Sequence, residues 1–219
     1  MASQPEFLVA PSVLSADFAR LGEEIRAVEM AGAVRVHVGG MDGHFVPNLT
    51  IGAPVVKGLR PTTKLPLDVH LMIENPEKYI ADFAKAGADY LTIHVEASAQ
   101  VELTLKKIRA LGVKPGITLR PRTKIEQLLP FLPLVDLVLI MTVEPGFSGQ
   151  SFMADQVGKI GVVRREMERV KHKGLIEVDG GVNAETVKQL GEADVLVAGN
   201  FVFKNDYAQA IRTLKDAKC

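Results

Sequence analysis

Residues 67–96 read LDVHLMIENPEKYIADFAKAGADYLTIHVE. LDVHLM (67–72) is almost continuously apolar, as a parallel strand covered on both faces would be. NPEKYIADFAKAG (75–87) follows, with apolar residues three and four apart, an Asn-Pro start and a Gly end. Those are the marks of a short amphipathic helix. YLTIHVE (90–96) returns to the strand pattern. Strand, helix and strand in one segment form the repeating unit of a parallel sheet.

The unit recurs along the chain. FLVAPSV (7–13), VRVHV (34–38), KPGITL (114–119), VDLVLIM (135–141), LIEVD (175–179) and DVLVAG (194–199) are further candidate strands. FARLGEEIRAVEMAG (18–32) and VELTLKKIRALG (101–112) read as helices, and Asn183 as another helix start. Eight strand–helix units in 219 residues, with no linker or shift in composition, predict an α/β fold. The form expected is a single (β/α)8 TIM barrel over 1–219, its first strand beginning near residue 7. A doubly wound sheet is the alternative, because periodicity alone does not show closure. Against it, no GxGxxG opens the first helix, and polar residues gather after many strands rather than at one crevice.

Composition narrows the function. Twenty-six basic and twenty-six acidic residues cancel, which argues against nucleic acid or an anionic membrane as partner. The hydrophobic share of 47% supports a sizeable core. The only cysteine, Cys219, allows neither an internal disulfide nor a CxxC metal site. No apolar run reaches the roughly 18–20 residues of a membrane span. MASQPEF (1–7) is unlike a targeting peptide. The expected setting is cytoplasmic.

Chemistry in such a barrel sits at the C-terminal ends of the strands. Ser12 and Ser15, His37, His70, His94 and Glu96, Thr142, and Glu177 and Asp179 all fall there. Each histidine taken singly reads as a hydrogen-bonded core residue. Three of them with a strand-end aspartate make a donor set suited to a divalent transition ion such as Zn, Fe, Mn or Co. His44 and His172 have weaker claims, one in a loop and the other in the charged stretch RREMERVKHK. EPGFSGQSF (144–152), DGGVN (179–183) and AGNF (198–201) follow the last three strands. Their glycines let backbone N–H groups approach an anion ahead of helix starts, so a phosphorylated ligand is expected.

Several segments together carry a resemblance. PSVLSADFARLGEE (11–24), MDGHFVPNLTIG (41–52), LDVHLMIENPEKYI (67–80), ADYLTIHVEA (88–97), LIMTVEPGFSGQSF (139–152) and IEVDGGVN (176–183) closely resemble the ribulose-phosphate 3-epimerase family. The likeness runs from about residue 8 to 216 in the same order and spacing. It implies a barrel that interconverts D-ribulose 5-phosphate and D-xylulose 5-phosphate, in the pentose phosphate pathway and the Calvin cycle. Such enzymes hold a divalent metal through two His and two Asp, and the metal stabilises a cis-enediolate. One Asp takes the C3 proton and the other returns one to the opposite face. By motif, His37, His70 and Asp179 match three ligands, and Asp179 also matches one acid/base residue. Ser12 and His70 match substrate contacts, as do the walling Met41, Met72 and Met141. Gly146, Gly149, Gly180, Gly181, Gly199 and Asn200 match the phosphate-binding turns. Related enzymes are dimers or hexamers, so a homo-oligomer is implied.

The chain departs from the family pattern H-x-D-x-M-D-G-H in HVGGMDGH (37–44). Gly39 stands where the family has the second Asp, which is both ligand and acid/base residue. Val34, Arg35 and Gly40 replace the usual Asp, aromatic and aliphatic residues. Arg120 and Arg122 lie in a segment that usually reads N-P-x-T, Ser148 in the usual GFGG turn, and Asn200 where Ser is common. Impaired epimerisation and a weakened or lost metal are the expected consequences. The alternatives are an epimerase or lyase for another ketose phosphate, or an inactive or engineered phosphosugar-binding barrel.

Overall fold

The computed structural model describes residues 6–218; MASQP and Cys219 lie outside the described residues. Eight strands are present: β1 (Leu8–Pro11), β2 (Val36–Met41), β3 (Leu67–Met72), β4 (Tyr90–His94), β5 (Lys114–Leu119), β6 (Leu137–Met141), β7 (Leu175–Asp179) and β8 (Val195–Ala198). They pair in parallel in the order β1-β8-β7-β6-β5-β4-β3-β2. A parallel bridge from Ser12 to His37 then joins β1 to β2 and closes the ring. That bridge decides between the barrel and the open sheet.

Helices α1 (Leu21–Met30), α2 (Ala53–Leu59), α3 (Ile80–Ala86), α4 (Val101–Ala110), α5 (Val157–Arg169), α6 (Asn200–Phe203) and α7 (Tyr207–Lys215) cover the outside. Outward residues such as Val38, Leu71, Ile93, Ile117, Ile140 and Val178 are fully buried beneath them. Each buried aliphatic of this kind contributes roughly 1.5–3 kcal/mol. After β5 the connection is 3-10 rather than α, over Ile125–Gln127 and Leu129–Leu134. Pro130 and Pro133 in that stretch lack the N–H an α-helix needs. After β7 only the 3-10 turn Thr186–Gln189 forms, so Asn183 opens a turn and not a long helix.

The largest difference from the expected boundaries is in β2. The strand does not end at Val38 but runs through Gly39 and Gly40 to Met41. It pairs with β3 along its length, Gly39 opposite His70, Gly40 opposite Leu71 and Met41 opposite Met72. Neither glycine takes a positive φ. A glycine pair reads locally as a turn, but here the neighbouring strand holds it extended. Alternation along β2 therefore sends His37, Gly39 and Met41 to one side, in phase with Arg35 just before the strand.

Candidate active site

The barrel interior holds an unusual amount of charge. Arg35, His37, Asp68, His70, His94 and Glu177 are all at most 5% exposed. At their centre His37 faces a carboxylate on each side. Its Nδ1 is 3.7 Å from Asp68 Oδ2 and its Nε2 is 3.6 Å from Asp179 Oδ2. Burial disfavours the His37 imidazolium, but Asp68 and Asp179 outweigh it and raise the pKa. Below, the Arg35 guanidinium lies 3.7 Å from Asp68 and over the Tyr90 ring, 4.7 Å from its centroid. Burial and the neighbouring Asp68 push the Glu177 carboxyl well above its ordinary pKa, whereas His37 and Arg35 hold Asp68 below its own against the pull of burial. The Arg35 guanidinium thus faces a buried carboxylate pair.

Among the described residues, two groups of three side chains have donor atoms within 4.8 Å of one another: His37, His70 and Asp179, and His37, Asp68 and Glu177. The second is sealed within the barrel, and the Arg35 cation already lies beside it. The first opens on the mouth, where the Asp179 side chain is 22% exposed. His37 Nε2 and His70 Nδ1 are buried and make no hydrogen bond, as metal donors awaiting an ion would be. Burial and the two neighbouring histidines hold His70 well below its ordinary pKa, leaving a lone pair free to donate. Burial also raises the Asp179 carboxyl, against the pull of His37. These residues fit a divalent ion with three protein ligands.

His94 is not a member of that group. It stands behind His70, Nε2 to Nε2 at 2.8 Å, with its Nδ1 3.5 Å from Glu96 Oε2. Glu96 is held to about pKa 2, despite some burial, by His94, the Thr123 hydroxyl and the Arg120 N–H. His44 is exposed in the loop after β2, and His172 lies at the end of α5; neither reaches the mouth cavity.

The cavity above the donors has a volume of about 580 Å³. Ser12, Met41, Met72 and Met141 line it, with Gly146, Gly149, Gly180, Gly181, Gly199 and Asn200 on the side of the late loops. A Cβ on Gly180 or Gly181 would come within 3.0 Å of Val143 or Phe152, and both glycines have positive φ. At Gly199 a Cβ would run into Ser15 Oγ, so glycine lets the start of the loop after β8 lie against the first loop. Ser15 and Lys204 also line the cavity; Lys204 carried no motif signal. The loop over the cavity is docked on the β2 loop, Asn48 Nδ2 donating to the Gly146 carbonyl at 2.8 Å.

Gly39 lies in the cavity wall, and a Cβ there would meet Met72 Cε at 2.9 Å. The methionine end occupies the space a longer side chain at 39 would enter. Asp42, three residues on, is turned away from this wall. Its Oδ1 accepts the N–H groups of His44 and Phe45 at 2.8 and 2.9 Å, and its Oδ2 that of Glu74 at 2.8 Å. It anchors the turn after β2 and is absent from the cavity wall.

The model of the ribulose-phosphate 3-epimerase family matches residues 8–203. The chain is 50% identical over 214 residues to ribulose-phosphate 3-epimerase of Bacillus subtilis, covering 96% of this chain and 99% of the relative. It is 51% identical over 216 residues to that of Synechocystis, covering 96% and 94%. Among solved structures, KGPDC from Streptococcus mutans in complex with D-R5P superposes with a TM-score of 0.73 at 15% identity, over 97% of this chain and 96% of that one. That likeness shows the barrel alone. The chain belongs to the ribulose-phosphate 3-epimerase family, whose members are isomerases that bind a divalent metal.

Proposed function

We propose, from the premise of family membership, that this chain acts on D-ribulose 5-phosphate and D-xylulose 5-phosphate at C3, slowly, because one face of the site has no acid/base group. Gly39 carries the reading: it lies in the cavity wall in register with His70, with no carboxylate of β2 near it. Inversion needs a proton removed on one face and delivered on the other. Asp179 is placed to serve one face, and Asp42 is fully engaged with backbone N–H groups. A divalent cation held by His37, His70 and Asp179 would supply positive charge that acidifies the C3 proton. Zn, Fe, Mn and Co all suit two imidazoles and a carboxylate. His37 is oriented for that role by Asp68 at its Nδ1. The glycine turns at 146–149, 180–181 and 199 and the Lys204 cation support a phosphate at the far end of the cavity. The solved D-R5P complex of a barrel of the same shape is in keeping with a phosphosugar substrate.

The described residues contain no helix long and apolar enough to cross a membrane. A cytoplasmic homo-oligomer, dimer or hexamer, remains our reading from the resemblance. The test compares the unaltered chain with Gly39→Asp after loading with Zn, Mn, Fe or Co. The variant should convert D-ribulose 5-phosphate about 10²–10⁴ times faster, the usual worth of one acid/base group. Turnover in the unaltered chain equal to that of the variant would overturn the reading.

A further inference from the structure

His70 and His94 are both fully buried, their ring centroids 4.9 Å apart with 22° between planes, so the rings are nearly coplanar. Their Nε2 atoms are 2.8 Å apart, so one ring donates and the other accepts. Two neutral imidazoles can do this in two ways, which differ in where His70 carries its proton. One leaves His70 Nδ1 bare; the other protonates it and removes it as a metal donor.

Glu96 breaks the tie. Its Oε1 accepts the Arg120 N–H at 2.8 Å, which turns Oε2 toward His94 Nδ1 at 3.5 Å. A carboxylate only accepts, and this charge faces a His94 Nδ1 that makes no hydrogen bond elsewhere or to Glu96 itself, so the field favours N–H on that side. The His94 proton therefore sits on Nδ1, its Nε2 accepts, and His70 must donate from Nε2. We propose that Glu96, acting through His94, is a positioning residue that locks His70 as the Nε2–H tautomer and keeps its Nδ1 lone pair for a cation. The role of that lone pair rests on the metal reading above; the tautomer does not. Supporting residues of this kind change metal affinity by about 10–100-fold.

Glu96→Gln reverses the relay without changing its shape. The Arg120 N–H holds the amide oxygen, so the amide NH₂ faces His94 Nδ1 and donates. His94 then donates from Nε2, and His70 carries its proton on Nδ1. Long-range ¹H–¹⁵N correlation on the metal-free, ¹⁵N-histidine-labelled chain reads both tautomers directly. The unaltered chain should show His70 as Nε2–H, and Glu96→Gln should show it as Nδ1–H with Zn(II) affinity about 10–100-fold weaker. Nδ1–H at His70 in the unaltered chain would overturn the proposal, and that result needs no variant to fold. So would Nε2–H persisting in Glu96→Gln, or inversion with Zn(II) affinity unchanged. If the tautomers invert as expected but Zn(II) binds neither protein, the relay stands and the metal reading of the mouth fails.

Discussion

β2 and β3 lie side by side in register, Gly39 opposite His70 and Met41 opposite Met72, and they reach the mouth differently equipped. β3 presents Asp68, His70 and Met72: a buried anchor, a donor and a wall. β2 presents His37, Gly39 and Met41, with Arg35 just before its first residue, and carries no side chain opposite His70. Their surroundings differ as well. His37 sits between two carboxylates that favour its protonation, whereas His70 sits against histidines that disfavour it. A strand can thus keep its place, register and burial with a glycine in place of a side chain, because the ladder is made by backbone and glycine keeps the backbone.

The strongest way to break the comparison is to empty the other face too. On the proposed reading, Asp179→Ala removes the one acid/base group of the site together with one metal donor. It should lower any C3–H exchange with solvent by about 10³-fold or more, read by deuterium uptake in the substrate. Exchange surviving in that variant would mean another group works the proton. Gly39→Ala sharpens the comparison from the opposite side. It restores a Cβ against Met72 but no carboxylate, so epimerisation should stay at the level of the unaltered chain. A large gain would point to backbone stiffness instead of a missing base.

Below the mouth, Arg35→Met leaves Asp68 and Glu177 without their guanidinium and removes the stack on Tyr90. Breaking a buried pair from one side costs about 3–5 kcal/mol. In a chain of this size that lowers Tm by roughly 6–20 °C, measured by calorimetry. An unchanged Tm would show that β2 carries no charge anchor of its own.

The smallest effect is expected at Glu96. Its pKa falls from 4.5 to about 2 on folding, so its ionised form stabilises the fold. That contribution is present above pH 4.5 and fades as pH falls towards about 2. Acid titration of the metal-free Glu96→Gln protein should show a flatter loss of stability in that window. An identical slope would deny Glu96 its partners.

The barrel was legible because its strands announce themselves: LDVHLM, KPGITL and LIEVD have the bounds expected of them. β2 was misjudged in length because Gly39-Gly40 looks like a turn until the pairing with β3 is known. That His37, His70 and Asp179 meet at the mouth was legible from their strand-end positions. What stood behind them was not. Asp68 beneath His37, and Glu96 behind His94 and His70, are contacts across neighbouring strands, and no spacing along one strand encodes them. Asp42 is the converse case. The sequence places it three residues from the gap, and only the hydrogen bonds of the folded loop show that it is already engaged.

The missing base on β2 is tested most directly by following exchange and inversion together. The metal-loaded chain would be incubated with D-ribulose 5-phosphate or D-xylulose 5-phosphate in D₂O, and deuterium at C3 compared with the appearance of the other epimer. With Asp179 alone serving one face, one epimer should exchange its C3 hydrogen well ahead of inversion, and Gly39→Asp should bring the two rates together. Inversion keeping pace with exchange in the unaltered chain would contradict the account.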